Sequence, residues 1–145
     1  MISRRRLIMA QTTADVGPGY YYAATGNGVY RSKTPSLTSS WTNVMSVSGG
    51  INGIKFANGT GICIKLHAGI YRSVDGETWT QVFSSSTDYL CGIASDGQGN
   101  WIIAGYISFS PLLLKSVDDG LSWTDVTSAV GSRYMLSNAG YHDGL

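Results

Sequence analysis

The residues of this chain that could do chemistry gather in two similar stretches. Ser116 to Trp123 reads SVDDGLSW, and Ser73 to Trp79 reads SVDGETW. A serine beside acids and a tryptophan could serve as nucleophile, general base and stacking surface. The same residues also suit a tight turn, in which aspartate accepts hydrogen bonds from amides and glycine supplies positive φ. The rest of the chain offers a catalytic reading little help. Its one glutamate, Glu77, sits inside the second stretch, and its histidines and cysteines (Cys63, Cys91) are scattered singly. Of six arginines, three crowd the N-terminus, Arg31 and Arg72 occupy matching positions, and Arg133 stands alone. No Ser-His-Asp arrangement, phosphate loop or metal-ligand spacing is present in the sequence. The expectation is a protein that is not an enzyme and carries no metal or cofactor.

The elements around these stretches repeat as well. GIYRSVDGETWTQV (69–82) and LLLKSVDDGLSWTDV (112–126) are full copies, and GVYRSKTPSLTSSWTNV (28–44) is a degraded one that has lost its Asp-Gly. Their tryptophans stand at 41, 79 and 123. A repeat of about 40 residues made of strand-like pieces marks a modular architecture. In the central unit, Asn52 to Ala57, Gly61 to Leu66, Ile70 to Ser73 and Thr78 to Phe83 read as four antiparallel strands. Asn58-Gly59 and Asp75-Gly76 supply turns between them. The next unit runs through Leu90 to Ser95, Asn100 to Gly105, Leu112 to Ser116 and Ser122 to Val126, with Tyr106 to Pro111 expected as a longer loop. The N-terminal unit has Tyr20 to Thr25, Gly28 to Ser32 and Ser40 to Val44 but no evident first strand. Arg133 to Gly140 resembles the strand it lacks. No segment has helical periodicity of useful length.

The fold class read from this pattern is all-β, with four-stranded antiparallel propeller blades, about three of them. Residues 1–18 are assigned to a basic N-terminal tail and 19–145 to the blades. The tail's apolar run Leu7 to Ala10 is too short for an export signal or a membrane span. Three blades are too few for a ring, which takes roughly four to eight. Either copies associate, or the chain is part of a longer polypeptide.

Composition agrees with a turn-rich β-protein. The 145 residues include 19 glycines, and only 13% are charged. Ten basic residues against nine acidic ones give a net charge of +1, so no nucleic-acid partner is expected. Two cysteines in apolar runs read as free thiols.

The pattern Ser-x-Asp-x-Gly-x-Ser/Thr-Trp resembles the Asp-box, or BNR, repeat. Ser116, Asp118, Gly120, Ser122 and Trp123 match each position, and Ser73, Asp75, Gly76, Thr78 and Trp79 match a form one residue shorter. The resemblance spans about Tyr20 to Gly140, and its layout is most similar to Asp-box propellers of bacteriophage tail and fibre proteins. It implies that the box is the turn between third and fourth strands, that its aspartates are turn caps, and that its tryptophans lie between sheets. Asp-box sialidases use an arginine triad, a tyrosine–glutamate pair and an acid, which this chain cannot assemble.

The resemblance also places ligands on the face opposite the box turns. The loops there would carry His67, Asp88, Tyr89, Tyr106, Phe109 and Arg133, with aromatic rings available to stack on sugars. The function expected is a non-enzymatic virion component contacting other virion subunits or a host-surface glycan, as a homo-oligomer or with virion partners. The alternatives are a small self-assembling propeller lectin, extracellular or cytoplasmic, and a fragment of an Asp-box glycoside hydrolase lacking its catalytic residues.

Overall fold

Short β-prone runs separated by glycine-bearing turns fold as antiparallel meanders in a computed structural model of the chain. The structure describes residues 19–67, 69–85, 88–131 and 138–142. The first sheet has three strands, β1 (Tyr21–Thr25), β2 (Gly28–Ser32) and β3 (Thr42–Ser46), in the order β1-β2-β3. The second has four in sequence order: β4 (Ile51–Ala57), β5 (Thr60–Lys65), β6 (Gly69–Ser73) and β7 (Thr80–Phe83). The third repeats that layout with β8 (Asp88–Ser95), β9 (Trp101–Ile107), β10 (Ser110–Ser116) and β11 (Thr124–Asp125). Helix among the described residues is confined to 3-10 turns at Thr38–Ser40 and Thr127–Ala129. The protein is all-β, and no helix among the described residues is long and apolar enough to cross a membrane.

Side-chain alternation along each strand builds two cores, one on each side of the second sheet. Ile62, Ile64 and Ile70 point one way and pack with Leu90, Trp101, Ile103, Leu112 and Leu114 of the third sheet. Cys63 points the other way and packs with Val29 and Met45 of the first sheet, flanked by Ile54, Tyr71 and Trp79. The sheets therefore stack in chain order, with the second between the other two. Asn52 adds a polar tie, its side-chain amide donating to the Leu90 carbonyl at 2.8 Å.

The repeat extends to irregularities of the backbone. Register shifts fall at Val29/Tyr30 and at Ile70/Tyr71, and again at Ile51/Gly53 and Leu90/Gly92. Bulges at matching places bend matching strands, so neighbouring sheets present similar surfaces to each other.

One expected loop is absent. β9 and β10 run on through Tyr106, Ile107, Ser110 and Pro111, with Ile107 opposite Ser110. The connection is two residues, Ser108 and Phe109, with φ of 46° and 69°. Left-handed backbone at both centres of a two-residue hairpin is the work of Asn-Gly or Gly-Gly in most chains. Neither residue here announces it. The N-terminal tail and Arg133 lie outside the described residues, as does most of the strand expected over Arg133 to Gly140.

Candidate functional site

The chemistry-bearing residues divide between the two ends of the sheets. At one end lie the acidic turns. In the shorter turn, Ser73 Oγ accepts from the Gly76 amide at 2.8 Å and donates to Asp75 Oδ1 at 2.9 Å. Asp75 Oδ1 also accepts from the amides of Glu77 (2.8 Å) and Thr78 (2.7 Å). These bonds, led by that from Thr78, hold the Asp75 carboxyl at about 2, well below the usual range. In the longer turn, Asp118 accepts from the Ser122 hydroxyl (2.5 Å) and amide (2.9 Å) and from Ser116 Oγ (2.7 Å). Its pKa falls to about 2 for the same reason. A carboxylate so stabilised as an anion is a poor proton shuttle near neutrality. Both aspartates act as caps.

The glycines of the two turns are fixed twice over. Gly76 and Gly120 take φ of 69° and 83°. A Cβ on Gly76 would strike the Tyr22 hydroxyl of the first sheet, and one on Gly120 would strike Ile62 Cδ1 of the second. Each turn is thus pressed against the preceding sheet. The tryptophans follow: Trp79 packs edge-on to Phe56 (5.9 Å between ring centroids), and Trp123 donates its indole N–H to the Gly120 carbonyl at 3.2 Å.

Asp119, the extra residue of the longer turn, has a role that pattern-matching missed. With φ of 61°, it turns its carboxylate toward the second sheet. There it accepts from Thr60 Oγ1 and from Arg72 Nη2 (3.3 Å), while Arg72 Nε donates to its backbone carbonyl at 2.8 Å. Trp101 Nε1 approaches the other carboxylate oxygen at 3.4 Å. Arg31, which matches Arg72 in the repeat, pairs at 2.5 Å with Glu77 of the shorter turn. Each acidic turn is therefore clasped by an arginine of the sheet before it. The sequence signal was there, in two arginines at one repeat position, each matched by an acid in the next unit's turn.

At the opposite end the structure brings together three of the residues singled out for ligand contact. His67, in the β5–β6 turn with φ of 61°, meets Tyr89 edge-on at 4.1 Å. Tyr89 and Tyr106 are cross-strand partners on β8 and β9, and their rings stack at 4.7 Å with 7° between planes. The row draws on two sheets. Phe109, at the adjacent hairpin tip, is 83% exposed. Asp88 begins β8 beside this row, opposite Ile107. Arg133 is outside the described residues. No group of His, Cys, Asp and Glu among the described residues could hold a metal ion. Cys63 is buried, which pushes its thiol up to about 12 and leaves it unreactive near neutrality.

A third feature is a cavity of about 400 Å3 on the side of the third sheet facing away from the second. Ile102, Trp101, Asn100 and Lys115 line it together with Gly140 and Tyr141. The chain matches no family model and no curated protein sequence.

Proposed function

We propose that the three sheets are successive Asp-box propeller blades and that the protein is a non-enzymatic component of a virion appendage. Its contacts with other virion subunits or a host-surface glycan are made by the rim opposite the acidic turns. The observation that carries this reading is the ring row His67–Tyr89–Tyr106 beside exposed Phe109. Aromatic faces and edges with few charges suit sugar rings and protein surfaces alike. The box aspartates support the reading from the other side, since their hydrogen bonds are spent within turns. Assignment to a virion rests on the resemblance of the repeat to phage tail and fibre propellers.

A glycan-binding lectin is the second reading, favoured by a ring row shared between two sheets. Both are tested by measuring binding of the chain to immobilised oligosaccharides and virion subunits, beside a Tyr106→Ala/Phe109→Ala variant and a Leu121→Ser variant at the other end. Binding to either class that falls at least tenfold in the first variant and holds in the second supports the rim. Equal binding by all three, or binding to neither class, sinks it.

A further inference from the structure

The exposed side of the third sheet repeats the surface with which the first and second sheets each receive a following turn. Register fixes the correspondence. Tyr22 pairs with Arg31 on β1–β2, Ile62 with Arg72 on β5–β6, and Ile102 with Lys115 on β9–β10. In the first two sheets the apolar member lies under the next turn's glycine, and the arginine clasps that turn's acid. In the third sheet Ile102 and Lys115 line the 400 Å3 cavity, and no following turn among the described residues fills it.

Among the described residues, the first sheet is incomplete in the complementary sense. β1 is an edge strand, whereas its counterparts β5 and β9 are each flanked by an innermost strand, β4 or β8. An uncovered edge is an invitation to pairing. On its side away from the second sheet it carries Tyr30, whose counterparts Tyr71 and Leu114 pack into the interfaces between sheets. Tyr21 on that side and Leu37 in the degraded turn are 58% and 56% exposed.

We propose that this side of the first sheet docks on the exposed side of the third sheet of a second copy, head to tail, with the degraded turn (33–40) over Ile102 and Lys115. The choice of a second copy over some other box-bearing partner rests on how the clasp has changed. Two turns carry an acid, and the sheets that receive them carry arginine. The turn over 33–40 has no acid, and the sheet that would receive it has lysine. An arginine fork left without its carboxylate would be a desolvated charge at an interface, while lysine can carry its ammonium out to water. The two halves of one contact have departed from the pattern together, as they would if they met.

The C-terminal segment fits the same geometry. β8 lies over the second sheet with Ile93 against Gly53 of β4. On the other side of β8, Gly92 lies against Asn138 and Ala139. Residues 138–141 thus occupy, over the third sheet, the place that β8 occupies over the second. β1 of the incoming copy would run beside them. Two such seams would close a ring of six blades, within the usual range.

This inference rests on reading the sheets as successive blades, and it stands or falls apart from the rim. Light scattering on the 145-residue chain should give twice its 15.5 kDa mass. Ile102→Asp on one surface and Tyr30→Asp on the other should each give monomers with the wild-type β signature by circular dichroism. Mixing the two should restore a dimer, because one intact seam remains. If Ile102→Asp fails to fold, Lys115→Glu, at an exposed position, takes its place. A monomeric wild type overturns the proposal. So does a single variant that stays dimeric, or a mixture that stays monomeric, since a dimer formed through like surfaces behaves in those ways. A monomer that still binds through the Tyr106–Phe109 rim removes the second copy and leaves the proposed function standing.

Discussion

Asp75 and Asp118 have the composition of a catalytic pair and the environment of structural caps, and that environment makes a pH prediction. Both carboxyls are lowered to about 2 in the fold, against roughly 3.9 in an unfolded chain. A depressed folded-state value contributes stability above the unfolded value and loses it as pH falls through the folded one. Thermal midpoints should therefore be level from pH 7 to about 4 and fall between about 4 and 2. Asp118→Asn should lower the midpoint at neutrality and reduce that acid loss. A second prediction concerns Ser73, whose hydroxyl is buried and satisfies the Gly76 amide. Ser73→Ala strands a buried donor and should cost about 1–3 kcal/mol in chemical denaturation. A turn role for these residues was one of two readings the sequence offered, and the hydrogen bonds of Asp75 and Asp118 to their own turns now favour it. The part played by Asp119 was not legible. In sequence it reads as a one-residue insertion, and only the fold shows which sheet its carboxylate reaches.

Among the elements, the hairpins form the two ends of the sheets. Strand positions followed from alternating apolar runs and fell within a residue or two of expectation, as with β4 (Ile51–Ala57) and β6 (Gly69–Ser73). The β9–β10 connection did not, since Ser108-Phe109 lacks the glycine or asparagine that usually marks a two-residue turn. Holding Phe109 at φ 69° costs about 1–2 kcal/mol in a residue with a Cβ. Such strain at an exposed ring is what a contact site would retain. Replacing the pair by Asn-Gly should raise stability by about 1 kcal/mol as that strain is relieved and weaken binding by the rim; unchanged binding would separate this turn from function. The clasp between sheets is testable in the same way. A double-mutant cycle on Arg72→Ala and Asp119→Ala should show coupling of about 1 kcal/mol from the partly buried contact of Arg72 Nη2 with the Asp119 carboxylate at 3.3 Å. The bond from Arg72 Nε to the Asp119 backbone carbonyl is untouched by the second change. Strictly additive effects would mean that the ion pair between Arg72 and the Asp119 carboxylate adds nothing to the join between the sheets.

On the scale of the molecule, the division into three antiparallel units was legible from the repeat of about 40 residues, and the all-β class from the absence of helical period. Which residues of different units meet was not legible. His67, Tyr89 and Tyr106 are dispersed in sequence and come together only because the second and third sheets share a core. The result is a two-ended object, with acidic turns that fasten and an aromatic rim that remains available. The function we propose for it is service on a virus particle. The most direct test is to follow the chain through density-gradient purification of particles by quantitative mass spectrometry. The chain is expected to band with intact particles at constant stoichiometry to their structural subunits. Its absence from every particle fraction, with the chain recovered at the top of the gradient, would contradict it.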